Sequence, residues 1–411
     1  MNSGIMKKQI LGLLILVVFG CKPNMTDEYF LQKIVENLNE ISSVSYFEET
    51  ISSAPGDTIA FTEAKRVYHK VIVNSLDSLV GASSFTFLSE DTTKMTDFYD
   101  GQVRGKVNWA KQTVKVDSFV NNPHPFRLVY YPFYTKINSI LKYALTTEDD
   151  IQVNFEDYGD SLYFRLKIID KHVYFHINPI TIKNEYIPED EISQFDIWFN
   201  KKDLLPYRME SKWHHVTLFQ SVYSPNLNFS KAATMHAREY FPSYFSLQYF
   251  DRDATRAEGQ VGKKQILIGE IAPDWVLQDV DYNIVKLSDL KSKVLLIQFT
   301  GIGCGPCHLS IPFLKSLAKK YEDQDFELLS LETWSNNLEG LKRYQQKNDL
   351  NFKFLKSSPE VTASYGVPSV PVFFVIDENR VIREVITGYS KGETDKEILE
   401  TNSKSIVTSC V

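Results

Sequence analysis

Val294-Leu295-Leu296-Ile297-Gln298-Phe299-Thr300-Gly301-Ile302-Gly303-Cys304-Gly305-Pro306-Cys307 decides how the last third of this 411-residue chain folds. Its first six residues form a nearly unbroken apolar run, the pattern of a strand buried on both faces. Beyond the cysteines, Ile311, Phe313, Leu314, Leu317 and Ala318 recur at helical spacing. A C-x-x-C at a strand-to-helix junction has the geometry of a redox dithiol. The first sulfur, on Cys304, falls where unpaired helix N–H groups and the positive end of the dipole stabilise a thiolate. The second, on Cys307, lies one turn inward within bonding reach, so the pair can cycle between dithiol and disulfide without remodelling the fold.

Further along, Tyr365-Gly-Val-Pro-Ser-Val-Pro371 leads into a second buried strand, Val372-Phe373-Phe374-Val375-Ile376. Pro371 has no N–H to give a ladder. A cis Val370–Pro371 bond, turning the backbone beside a site, is the expected reason for its place.

With Ile271-Ala-Pro-Asp-Trp275, Val285-Lys-Leu-Ser-Asp-Leu290 and Pro312 inside the helix, residues 266–400 resemble the TlpA/ResA-like thiol-disulfide oxidoreductases of the thioredoxin superfamily. The resemblance implies an α/β thioredoxin fold and a catalytic pair, Cys304 and Cys307, joined as the Cys304–Cys307 disulfide when oxidised. Gly305, Pro306, Val370 and Pro371 become substrate-binding positions, with the backbone of Val370 pairing with an extended substrate segment. Protein thiols or disulfides are the implied substrates. A membrane electron-transfer partner, such as a thiol-reductant transporter, is the implied source of electrons, and no cofactor is expected. The Gly-Pro dipeptide is that of thioredoxin, whose potential is about −270 mV, which favours a reductant.

Two departures stand out. Gly303 replaces the tryptophan usual before the first cysteine, which predicts a less shielded sulfur and a looser approach loop. Gln298 replaces the buried acid of thioredoxin itself, as in the membrane-anchored relatives, and removes a proton acceptor. Glu332, at the end of the next expected strand (Leu328-Leu-Ser-Leu-Glu332), is the candidate proton relay; a solvated strand-end Glu is the alternative.

The N-terminus reads as an address. Lys7 and Lys8 precede the apolar run Ile10–Phe19, which is short for a membrane span and fits a signal peptide. Val18-Phe19-Gly20-Cys21 resembles a bacterial lipobox, which implies lipid on Cys21 and an exported, membrane-anchored lipoprotein facing the periplasm or the cell surface. Of the four cysteines, Cys410 is left over and reads as a frayed terminal residue. So few cysteines in an exported chain mean that disulfides do not hold the fold together, and the one C-x-x-C serves chemistry. The expected division is a signal peptide at 1–21, an α+β domain at 22–250, a polar linker at 251–265 and a thioredoxin-like domain at 266–411.

Within 22–250, Phe30, Leu31, Ile34, Val35, Leu38 and Ile41 predict a helix over Glu28–Ile41, and Phe133 to Leu145 predicts another. Alternating strands between and after them, such as Val173–Ile177, predict a curved, mainly antiparallel sheet. The stretch from Phe195 to Arg208 is weakly similar to LolA-like half-barrels, which implies a concave apolar face for acyl chains or protein segments; a sheet packed on its own helices is the alternative.

A net charge of −7, with no basic patch interleaved with aromatics, gives nucleic-acid binding no support. His172 and His176, four apart on a strand, would lie about 13 Å apart. His214 and His215 would point to opposite faces of a strand, so no metal is expected. His308, just past the dithiol, offers a cation or a solvated helix residue. A peroxiredoxin-like peroxidase is disfavoured, because Thr300 precedes a C-x-x-C without the matching proline. A ligand- or lipid-binding lipoprotein with an accessory thioredoxin domain is the other rival.

Overall fold

The computed structural model describes residues 25–54, 57, 60–119, 127, 129–169, 171–181, 192–229, 236–250 and 267–408. The signal segment with Cys21, the linker and Cys410 lie outside the described residues.

The N-terminal region follows from amphipathic helices and alternating strands. Helix α1 (Met25–Asn39) buries Leu31, Ile34 and Leu38, and α2 (Phe133–Thr146) buries Phe133, Ile137, Ile140 and Leu141. The strands before α2 are β1 (Ser43–Ser53), β2 (Lys65–Val73), β3 (Ala82–Leu88), β4 (Met95–Tyr99), β5 (Arg104–Asn108) and β6 (Thr113–Asp117). Those after it are β7 (Ile151–Asp157), β8 (Ser161–Ile169), β9 (Val173–Phe175), β10 (Pro179–Thr181), β11 (Ile192–Asn200), β12 (Pro206–Lys212), β13 (Thr217–Leu227) and β14 (Ser246–Phe250). They build one 12-stranded sheet in the order β14-β6-β5-β4-β3-β2-β1-β13-β12-β11-β8-β7, antiparallel except for the parallel β14–β6 pair.

Period-two burial decides which face meets the helices. Phe195, Ile197 and Phe199 of β11 and Leu162, Phe164, Leu166 and Ile168 of β8 point into one core with α1 and α2. At the other end of the sheet, Phe85, Phe87, Met95 and Phe98 pack under Ala237, Phe241 and Phe245, next to a cavity of about 620 Å³. The expected Val173–Ile177 strand is shorter and leaves the main sheet: among the described residues, β9 (Val173–Phe175) pairs with β10 in a separate two-stranded ribbon. Its Phe175 packs edge-on against Tyr143 of α2.

The C-terminal region contains β15 (Val276–Asp279), β16 (Ile284–Lys286), β17 (Val294–Thr300), α3 (Gly305–Lys320), β18 (Phe326–Glu332) and α4 (Leu338–Lys347). It continues through β19 (Lys353–Lys356), α5 (Pro359–Ser364), β20 (Val372–Ile376), β21 (Ile382–Thr387) and α6 (Glu393–Thr408). The sheet order is β16-β15-β19-β18-β17-β20-β21, with β17, β18 and β19 parallel and β20 antiparallel to β17. This is the thioredoxin-like arrangement.

All seven residues of β17 are buried, because the strand faces a core on each side. Leu295, Ile297 and Phe299 meet Trp275, Tyr365 and Phe374 on one face; Val294 and Leu296 meet Leu314, Leu317 and Ile398 on the other. The Tyr365 hydroxyl donates to the Pro273 carbonyl at 2.9 Å, which ties the two outlying motifs together.

Phe195→Ala removes a ring that is 1% exposed and edge-to-face with Phe175 at 5.1 Å. It is expected to cost about 3–5 kcal/mol, whereas Leu76→Ala, at a side chain 94% exposed, stays within about 0.5 kcal/mol. Urea denaturation of both variants checks the contrast.

Candidate active site

After β17 the chain passes through Gly301, Ile302 and Gly303 and enters α3 at Gly305. Cys304 is the N-cap of that helix: its Sγ accepts the Cys307 N–H at 3.3 Å. The helix end therefore directs a backbone donor and its dipole at this sulfur. Pro306 sits in the first turn, where a missing N–H costs no helical bond. Cys304 and Cys307 form a disulfide with Cα atoms 5.2 Å apart. The Val370–Pro371 peptide is cis, and the Val370 carbonyl oxygen lies 3.9 Å from Cys304 Sγ. Thus Cys304, Gly305, Pro306, Cys307, Val370 and Pro371 are brought to one place.

Gln298 is buried and satisfied at both ends. Its amide nitrogen donates to Ser310 Oγ at 3.0 Å, and its oxygen accepts from Ser330 Oγ at 2.7 Å. Ser310 in turn donates to the Cys307 carbonyl at 2.7 Å, so the neutral amide ties the second cysteine's turn to β17 and β18.

Glu332 is not a solvated strand end; it has no exposed surface. One carboxylate oxygen accepts from Ile302 N–H at 2.8 Å, and the other from Trp334 and Ser335 N–H at 2.8 and 3.0 Å. Burial pushes this carboxyl up to about 7, against the three donors, which pull it down. The acid is bonded into the loop two residues before Cys304. Tyr344, also buried, has its phenol raised by desolvation first and by the nearby Glu332 second. Its hydroxyl lies 3.3 Å from His308 Nδ1, so His308 is packed against a tyrosine and is not a free helix residue.

The approach loop is held, not loose, because both of its glycines make room for aromatic rings. A Cβ on Gly301 would sit 2.5 Å from the Trp334 indole. Gly303 has φ +86°, and a Cβ there would sit 2.8 Å from Phe61 Cζ and 3.5 Å from Val216 Cγ2. Phe61 and Val216 belong to the N-terminal region. His214 and His215 lie in the turn between β12 and β13, not on opposite faces of a strand, with rings 4.5 Å apart. The His215 ring comes within 3.6 Å of a Cβ built on Gly305, and the His214 ring is 5.7 Å from that of His308. His172 and His176 are buried against Tyr174 and Tyr131. Among the described residues, no group of three or more His, Cys, Asp or Glu could hold a metal ion.

Sequence reasoning did not find Phe61, Val216, Trp334 or Tyr344. The one signal for Phe61, Val216 and Trp334 was the pair of glycines flanking Ile302, each marking a volume that some other side chain fills, and nothing local pointed to Tyr344.

A dithiol that caps a helix in a thioredoxin-like sheet, beside a cis-proline turn, defines a thioredoxin-like oxidoreductase. The Redoxin family model matches residues 267–402. The thiol-disulfide oxidoreductase ResA of Bacillus cereus (strain ATCC 10987 / NRS 248) is 31% identical over 155 residues, 37% of this chain and 86% of the relative. That of Geobacillus thermodenitrificans is 30% identical over 139 residues, 34% of this chain and 79% of the relative. The chain belongs to this ResA family of thiol-disulfide oxidoreductases. A solved thiol:disulfide interchange protein from a Bacteroides species is similar at 21% identity and TM-score 0.30, over 34% of this chain and 90% of that one. One of the thioredoxin family from Chlorobium tepidum TLS is similar at 23% identity and TM-score 0.30, over 32% of this chain and 96% of that one.

Glu332 holds its proton up to about pH 7 in the folded chain, but only to its ordinary value of 4.5 when unfolded. The folded state therefore binds the extra proton between those values. The stability that this group contributes is complete below about pH 4.5 and is lost as pH rises through about 7. Urea midpoints of wild type and Glu332→Gln at pH 5 and 8 should show a flatter pH dependence in the variant, by up to about 3 kcal/mol. Parallel profiles would refute the assignment.

Proposed function

We propose that this protein is an exported, membrane-tethered thiol-disulfide oxidoreductase that reduces substrate disulfides through Cys304 and Cys307. The observation that carries this reading is the position of Cys304 Sγ, at the start of α3 and 3.9 Å from the Val370 carbonyl, with buried Cys307 bonded behind it. In the reduced enzyme the Cys304 thiolate attacks one sulfur of a substrate disulfide. A Cys304–substrate disulfide forms and the other substrate sulfur leaves as a thiolate. Cys307, deprotonated, then attacks Cys304 Sγ, and the second substrate sulfur leaves. The substrate gains two electrons and two protons, and the enzyme is left with the Cys304–Cys307 disulfide.

Val370, half-buried at the turn, offers its backbone to an extended substrate segment. Gly305 and Pro306 form the surface between the sulfurs. Glu332 suits the role of proton relay, because a carboxyl raised to about 7 exchanges protons near neutral pH and is bonded to the loop that carries Cys304. Regeneration needs a dithiol reductant, which the family reading assigns to a membrane electron-transfer partner such as a thiol-reductant transporter.

The tether is the lipid on Cys21, supported by the apolar run that ends at Val18-Phe19-Gly20-Cys21. No helix among the described residues is long and apolar enough to cross a membrane. The division at 22–250, 251–265 and 266–411 is supported by the absence, among the described residues, of any sheet with strands from both parts. The 12-stranded sheet around α1 and α2 supports the LolA-like reading of the first part, in which the cavity beside Phe85, Phe98 and Phe241 is the room for a ligand.

Thiol trapping of the Cys304–Cys307 pair in glutathione and dithiothreitol buffers is expected to give a potential of about −270 mV, and one of about −120 mV would make the protein a disulfide donor instead. Cys307→Ser should accumulate mixed disulfides on Cys304, and Cys304→Ser should form none and lose reductase activity. Cys21→Ser is expected to move the protein from the membrane fraction to the soluble fraction; unchanged sedimentation would remove the lipid tether from the proposal.

A further inference from the structure

Cys304 exposes only 6% of its surface, although the residue before it has no side chain to cover it. Residues of the N-terminal region pack over its two neighbours in the chain. Phe61 fills the space over Gly303, with Val216 beside it, and the His215 ring lies over Gly305. Side chains from two loops of the N-terminal region thus bracket the reactive cysteine at the residues directly before and after it.

The contact is built, not incidental. Phe61, 8% exposed, shares a buried apolar cluster with Ala54, Val280, Ile302, Leu341, Tyr344 and Phe354. Polar bonds fix the same segment: Arg343 Nε meets Asp57 Oδ2 at 3.0 Å, and Asn337 Nδ2 donates to the Ala60 carbonyl at 3.4 Å. The left-handed backbone at Gly303 strains any side chain there, and a Cβ would displace the Phe61 ring. By contrast, Pro368 is exposed, and Ser369 and Val370 are half-buried.

From this arrangement we infer that Phe61, backed by Val216 and His215, is a specificity-determining residue of the redox site. It walls off the Gly303 side of Cys304 and confines approach to the Pro368–Val370 side. A wall at the residue next to Cys304 admits a disulfide on a small or extended, flexible chain and hinders one on a broad folded surface, because only the former can bring its sulfur to Cys304 past the ring. This rests on the proposed disulfide-reductase reading and adds the substrate class.

The test compares turnover of oxidised glutathione, a small extended disulfide, with that of insulin, a folded one. Dithiothreitol is the reductant and the full chain is the enzyme. Phe61→Ala is expected to raise the insulin-to-glutathione turnover ratio about tenfold, a step typical of enlarging an apolar pocket. Phe61→Leu should keep most of the wild-type preference. Asp57→Asn, which breaks the ion pair to Arg343 without touching the apolar cluster, should shift the ratio in the same direction by less. A ratio unchanged in Phe61→Ala, with both disulfides turned over and the variant folded by circular dichroism, overturns the wall. Turnover of neither disulfide by the wild type overturns the reductase reading, and this inference falls with it.

Discussion

Cys304 must do two things at once: cap α3, and stand within reach of the turn before β20. The first fixes the sulfur against the Cys307 N–H, and the second sets it 3.9 Å from the Val370 carbonyl. Both depend on β17, whose complete burial leaves the strand one place to end and the chain one short loop in which to turn. The two cores on the faces of β17 are thus the platform of the site. A shift in either would move the cap and the cis-proline turn relative to each other.

Buried polar groups convert that platform into a fixed constellation. Gln298 spans from Ser330 to Ser310, and Ser310 holds the Cys307 carbonyl. Glu332 takes three N–H donors, one of them from the loop that delivers Cys304. An amide in the first place and an acid in the second divide the work. The amide serves a donor and an acceptor without a charge. The acid sits at the end of β18, where burial raises its proton affinity toward neutrality and where it holds the loop through the Ile302 N–H.

The two parts of the chain differ in how they are held. The N-terminal sheet is mainly antiparallel and reads as alternation along its strands, with α1 and α2 covering the β8 and β11 end. The C-terminal sheet buries both faces of its central strands. They meet through Phe61, Ala54 and the Asp57–Arg343 pair, so the part of the chain without cysteines at the site packs against Ile302 in the loop that leads to Cys304.

Much of this was legible locally. The apolar run into Cys304, the helical spacing beyond it and the proline before β20 each depend on neighbours in sequence, and sequence fixes their geometry through hydrogen-bond period and dihedral limits. The helices at Phe133 and near Glu28 were visible for the same reason, although Ile41 lies beyond the end of α1 and is buried outside it. The turn at His214 and His215 was hidden because a two-histidine step has no period, and the separation of β9 from the main sheet was hidden because alternation does not say which strand pairs with which. By itself the sequence determined the thioredoxin-like class, the redox pair and the antiparallel character of the first part. Only the tertiary structure decided that Glu332 is buried, that Trp334 and Phe61 occupy the spaces of Gly301 and Gly303, and that the N-terminal region packs over the two neighbours of Cys304. Those facts are contacts between residues far apart in the chain, set by how packed surfaces fill volume, and a missing side chain marks an empty space without naming what fills it.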